Sequence, residues 1–147
     1  MLIQRATISD IDSIVKVTRT KENRKALPWV MKVALKDAIE HPKSDVLLVA
    51  KDENKGVLGF IRLHCRRDKK ATIHEIAVLD NFKGKGIGTA LLKKAEENVK
   101  EKDCKIIGLK TPSDLIGTHL FYIKKGFKNT SKILTEKRSL FVFEKEI

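Results

Sequence analysis

The spacing of apolar residues changes several times along the chain, and each change marks an element. Leu2–Thr7 alternates as a short strand. Ser9 then stands as an N-cap, with Asp10 and Asp12 in the first turn of a helix whose Ile11, Ile14, Val15 and Thr18 recur at helical spacing. Thr20–Leu27 is polar and basic, and Pro28 closes it. Trp29–Glu40 reads as a second helix, marked by Val30, Val33, Ala34 and Ala38 and ended by His41-Pro42. Asp45–Lys51 and Val57–Cys65 are strands joined by the turn Asp52–Gly56, a hairpin. Arg66–Lys70 is a basic turn and Ala71–Leu79 a third strand. Ile87–Lys102 is the clearest helix: Ile87, Leu91, Leu92, Ala95 and Val99 share one face, and Glu96 and Lys100 make an i,i+4 pair on the other. Cys104–Lys110 is a strand, Asp114–Lys125 a helix stopped by Gly126, Phe127 opens another strand, and Ser139–Glu144 is the last.

The order β-α-α-β-β-β-α-β-α-β-β, with hairpins first and a β-α-β crossover later, predicts an α/β (α+β) domain. Its sheet is mixed and mostly antiparallel, with about seven strands and about four flanking helices. A chain of 147 residues suits one domain over 1–147. The longest aliphatic run, Val46–Ala50, is far short of the roughly 20 residues of a membrane span. Met1–Arg5 lacks the layout of a signal peptide. Cys65 and Cys104 lie far apart in apolar stretches and read as buried thiols of a reducing, cytoplasmic setting, with a structural bridge between them as the alternative. Lys+Arg number 31 against 19 Asp+Glu, a net charge of +12. That charge invites a polyanion, but the lysines are scattered and aromatics are only 5%, which disfavours nucleic acid as the partner.

The chemistry concentrates in Glu75–Leu92, which runs strand, Gly-rich turn, helix. Gly84, Gly86 and Gly88 let the backbone approach a ligand. The helix that follows offers unpaired N–H groups and its positive dipole end, and Lys83 and Lys85 add charge. Together these make a cradle for a phosphate or diphosphate. It is not a Walker A loop, because Gly84-Lys85 is followed by Gly86 rather than Ser or Thr. Nor is it the dinucleotide fingerprint, whose third glycine falls on Thr89.

Lys83-Gly84-Lys85-Gly86-Ile87-Gly88 resembles the Arg/Gln-x-x-Gly-x-Gly/Ala signature of the GNAT superfamily of acyl-CoA-dependent N-acyltransferases, with Lys in the first place. Tyr122–Phe127 is similar to that family's Tyr-x-x-x-Gly-Phe. The Asn that commonly precedes the last helix is absent; Leu115 stands there, beside Asp114. The resemblance implies a V-shaped opening between Ala71–Leu79 and Cys104–Lys110. Pantetheine would lie in it against the main chain of Ile76, Ala77 and Val78, with the acetyl-CoA diphosphate on the amides of Gly84, Lys85, Gly86, Ile87, Gly88 and Thr89. It also implies direct acetyl transfer to a primary amine, of a small molecule or a protein, and makes a homodimer plausible.

Such a reaction needs a neutral amine, a donor for the oxyanion and a proton for the thiolate. The N–H of Ala77 or Val78 is the candidate oxyanion donor. Glu75, a carboxylate in an apolar strand, is the candidate base through water; the alternative is a carboxylate facing solvent or paired with a lysine. His74, on the opposite face, is its rival or an ordinary histidine. Tyr122, the single tyrosine, is the candidate acid. Trp29 is either acceptor pocket or core. His41, His64 and His119 have no metal-ligand spacing, and Cys104 reads as packing rather than nucleophile. Two other functions fit the same residues: a basic nucleic-acid-binding domain, and a CoA-binding module without catalysis.

Overall fold

A computed structural model describes residues 1–27 and 30–147, so Pro28 and Trp29, with the expectations attached to them, lie outside the described residues. Seven strands form one sheet: β1 (Leu2–Arg5), β2 (Asp45–Asp52), β3 (Gly56–Cys65), β4 (Lys70–Val78), β5 (Ile106–Pro112), β6 (Lys128–Leu134) and β7 (Ser139–Glu146). Their order is β1-β2-β3-β4-β5-β7-β6, and only β4 and β5 run parallel. The helices are α1 (Ile11–Thr18), α2 (Asn23–Ala26), α3 (Lys32–Glu40), α4 (Ile87–Glu101) and α5 (Ile116–Lys124).

Both faces of the central strands are covered, which is why β2 reads as a continuous apolar run rather than an alternation. On one face Ile14 and Val17 of α1 and Leu35 and Ala38 of α3 bury Leu47, Val49, Phe60 and Ala77. On the other, Leu91, Leu92, Ala95 and Val99 of α4 pack with Leu48, Ile61, Ile107, Tyr122 and Phe143. Each fully buried Leu or Phe contributes about 2 kcal/mol of burial free energy.

The element order follows the pattern of the sequence, with local corrections. Ser9 does not cap α1: the Asp10 carboxylate reaches back to the Thr7 N–H (2.8 Å), and a 3-10 turn at Ile8–Asp10 leads into the helix. The basic segment Thr20–Leu27 contains the short helix α2, whose lack of an apolar stripe hid it. α3 buries Leu35 and Ala38 and leaves Val33 exposed, so its inner face is rotated from the expected one. Glu96 pairs with Lys145 of β7 (2.9 Å) instead of Lys100, since a less exposed partner from the sheet is within reach. β5 starts two residues later than Cys104, and α5 starts at Ile116.

Two features shape the centre of the sheet. The β3–β4 register slips between Arg62/Leu63, so that Arg62 faces Glu75 while Leu63 faces Ile73. His74 is the surplus residue of this bulge, and it turns Glu75 and Ala77 toward the α1–α3 face. The second is Gly59: a Cβ there would lie 2.8 Å from the Ala77 carbonyl oxygen, so only glycine lets β3 lie this close to the end of β4.

Candidate active site

β4 and β5 pair at only three positions, Lys70↔Ile106, Ala71↔Ile107 and Thr72↔Gly108, and then diverge. The divergence leaves the V-shaped opening implied by the sequence. Register decides what faces it. Leu79 donates its N–H to Leu58 O (2.8 Å), so in this antiparallel ladder Leu79 and Ala77 point their main-chain groups at β3. Ile76 and Val78 therefore turn theirs toward the opening. Of the two candidate oxyanion donors, Val78 has the free orientation and Ala77 does not.

The opening is part of a cleft of about 810 Å³. Ile76, Ala77, Val78, Lys83, Gly84, Gly86, Ile87, Gly88 and Thr89 all line it, as do Glu75, His74 and Tyr122. Lys85 does not line it; its ammonium sits 5.2 Å from the centroid of the Phe82 ring. Gly84 and Gly86 have φ of 76° and 85°, values costly for any residue with a Cβ, and no atom stands within 4 Å of where that Cβ would be. Gly86 is the N-cap of α4, and no side chain caps the helix. The first amides of α4 are thus left to a ligand, and space is open in front of them. An anionic diphosphate fits this cradle.

Lys83, at the head of the glycine turn, bridges Glu22 (3.1 Å) and Asp80 (3.2 Å). The Glu22 N–H beside it holds the Asp80 carboxyl below the usual carboxylate range, helped by the Thr20 hydroxyl and Lys83. The cradle is in this way tied to the segment between α1 and α2.

Glu75 is buried (7% exposed) and both of its oxygens accept from Arg62, at 2.7 Å each. The partner is an arginine rather than the lysine considered from sequence. Partial desolvation of the His74 ring, which keeps one side exposed, together with the Arg62 charge nearby lowers its pKa from the ordinary imidazole value, so it is neutral at physiological pH. Tyr122 is buried (2% exposed), packed edge-on between Phe121 and Phe127 with ring centroids at 5.2 Å in both pairs. Burial pushes its phenol above the ordinary value, which keeps it protonated. Burial likewise pushes the Cys65 thiol up to about 12, with the Cys104 thiol beside it, so Cys65 is not a poised nucleophile.

Asn23 was not singled out by sequence. It is buried (5% exposed), lines the cleft, and its Nδ2 donates to Val17 O (2.7 Å) and Val78 O (2.9 Å). Two carbonyl partners fix which end of the amide is nitrogen. The Asn23 carboxamide thus pins the end of β4 to α1 and hangs α2 over the cleft. A buried-type Asn in a basic interhelical segment is the only sequence signal for it.

The sequence matches the acetyltransferase (GNAT) family over residues 10–127. YxbD of Bacillus subtilis is 40% identical over 77 residues, 52% of this chain, and the match spans 46% of that protein's length. An uncharacterized N-acetyltransferase of Archaeoglobus fulgidus is 29% identical over 128 residues, 74% of this chain and 80% of its own. Among solved structures, the fold is shared with Ard1 from Thermoplasma volcanium (TM-score 0.85, 21% identity, 99% of this chain and 97% of that one). It is also shared with the PaiA N-acetyltransferase of Thermoplasma acidophilum in complex with coenzyme A (TM-score 0.84, 23% identity, 99% and 98%). With its family match over most of the chain, its split sheet and its open glycine cradle, this chain belongs to the acetyltransferase (GNAT) family.

Proposed function

We propose that residues 1–147 act as one N-acetyltransferase domain that moves the acetyl group of acetyl-CoA to a primary amine by direct attack. The observation that carries this reading is the alignment of an open β4 edge, the Ile76 main chain and the Val78 N–H, with the uncapped N-terminus of α4. The edge suits the amide-bearing arm of the cofactor, as an added strand would. Gly84, Gly86, Ile87, Gly88 and Thr89 suit its diphosphate, with Lys83 and Lys85 as nearby charge. The neighbour solved with coenzyme A, named above, supports the same assignment.

Bound acetyl-CoA supplies an electrophilic thioester carbonyl and a thiolate leaving group. The amine lone pair forms the new C–N bond, and the Val78 N–H takes the charge that builds on the carbonyl oxygen. As the C–S bond breaks, its electron pair leaves with sulfur, and Tyr122 supplies the proton that makes the free thiol. The surplus proton on nitrogen passes through water to Glu75. Arg62 uses two of that carboxylate's lone-pair sites and leaves others open. The neutral His74, next to it on the bulge, is the alternative acceptor of that proton.

The test is a panel of amines with acetyl-CoA, read as release of free CoA thiol. Turnover with at least one amine supports the reading, and Tyr122→Phe then lowers kcat by about 100-fold with unchanged CoA affinity. Binding of acetyl-CoA with no acceptor acetylated would leave a CoA-binding module. Salt-sensitive DNA binding without CoA binding would point to a nucleic-acid-binding domain.

A further inference from the structure

Resting on that reading, we propose that the acceptor is a primary amine carrying an acidic group a few bonds from its nitrogen, recognised by Lys110 and Arg138. Strand alternation gives the side of Lys110. Leu109 packs into the α4 core, so its neighbour Lys110 turns to the opposite, α1–α3 face of β5. Phe141 and Phe143 also face the α4 side, so Leu140 turns to the same face as Lys110, and Arg138 stands in the turn just before β7. Both Lys110 and Arg138 line the cleft.

Their position separates them from the cradle. The last paired positions of β4 and β5 are Thr72 and Gly108, so His74 and Lys110 stand two residues further along each strand, at the narrow end of the opening. That is where the thioester end of the arm would meet the amine. Arg138 lies in the turn just before β7, beyond Pro112, where Ser113 N–H bonds Ser139 O (3.0 Å). Lys83 and Lys85, by contrast, sit beside the start of α4.

Neither cation is neutralised. Among the described residues, neither side chain has an ion-pair partner, and Glu75, the single carboxylate lining the cleft, is already held by Arg62. A polyamine would find two free cations and no free carboxylate here. Ala26, Leu27, Pro112 and Leu140 supply apolar walls for a short stem between amine and acid. Charge-assisted hydrogen bonds from a lysine and a forked guanidinium suit a carboxylate in that space.

The experiment compares matched acceptors with acetyl-CoA: 4-aminobutyrate against 4-aminobutanamide, C-terminally amidated peptides beginning Ala-Asp against Ala-Asn, and spermidine. The peptide and free amino-acid arms separate a protein N-terminus from a small molecule. Acidic acceptors should be favoured by about tenfold or more in kcat/KM. Lys110→Gln and Arg138→Gln should each erase that preference through the KM for the amine, with the KM for acetyl-CoA unchanged, and Lys110→Arg should retain it. Equal or better turnover of 4-aminobutanamide, Ala-Asn peptide or spermidine overturns the inference, as does a rise in the KM for acetyl-CoA in either Gln variant. If no amine is turned over, the acetyl-transfer reading has failed, and the inference is still read by binding. A rise in Tm of the CoA-loaded protein with the acidic acceptor, absent in Lys110→Gln, supports it; no rise in the wild type overturns it.

Discussion

On the α4 side of the cleft the proposed binding groups are main-chain amides from one stretch, Gly84–Thr89. On the α1–α3 side they are side chains brought from four places: Asn23, the His74–Glu75 bulge, Lys110 and Arg138. The first is a general device that any diphosphate-bearing cofactor can use. The second is a particular constellation, fixed only by tertiary contacts. One side can keep its chemistry while the other is rebuilt for a different acceptor.

If that division is real, damage to one side should leave the other intact. The largest effect is expected from Gly86→Val: a branched side chain at φ 85° forces the turn to relax and misaligns the α4 amides. Calorimetry should show acetyl-CoA bound on the order of 100-fold more weakly, with the protein still folded. Unchanged affinity would remove the cradle from cofactor binding.

On the opposite side, Arg62→Met leaves the buried Glu75 carboxylate without its partner. Chemical denaturation should show a loss of about 3 kcal/mol, against far less when both residues are replaced by apolar ones. Asn23→Leu keeps the shape, orphans the Val78 carbonyl oxygen and leaves that of Val17 with only the Thr20 hydroxyl (3.4 Å), for a loss of about 2 kcal/mol. It should also raise the KM for the amine more than that for acetyl-CoA, because α2 loses its hold on Val78.

The smallest effect is a pH effect at His74. Its pKa in the folded protein lies below the 6.5 of a free imidazole. The unfolded chain therefore binds the proton first as pH falls. His74 costs no stability above pH 6.5 and progressively more below it, down to the folded-state value. His74→Asn should flatten the fall in Tm on acidification from pH 7; identical profiles for the two proteins would mean the ring is not shielded from protonation.

The same contrast explains what could be read from the chain. The glycine turn could be read from its own residues, and the Tyr122–Phe127 stretch only through the family resemblance. The split between β4 and β5 came with that resemblance. Asn23 was not legible, because its partner Val78 is 55 residues away. Nor was the Arg62–Glu75 pair: without the bulge, the ladder that matches Leu63 to Ile73 would set Arg62 against His74. Lys110 and Arg138 look like two more cations in a +12 chain until the fold brings both to the wall of one cleft. Trp29, the expected wall of the acceptor pocket, lies outside the described residues.

The sheet's two halves, β1 to β4 and β5 with β7 and β6, are stitched along their shared border by three rungs at its closed end. A single core bridges that seam: Leu91 and Leu92 of α4 pack with Ile61 of β3 on one side and with Ile107 of β5 and Phe143 of β7 on the other, so the slot is propped open by packing beneath it rather than by the strands that border it.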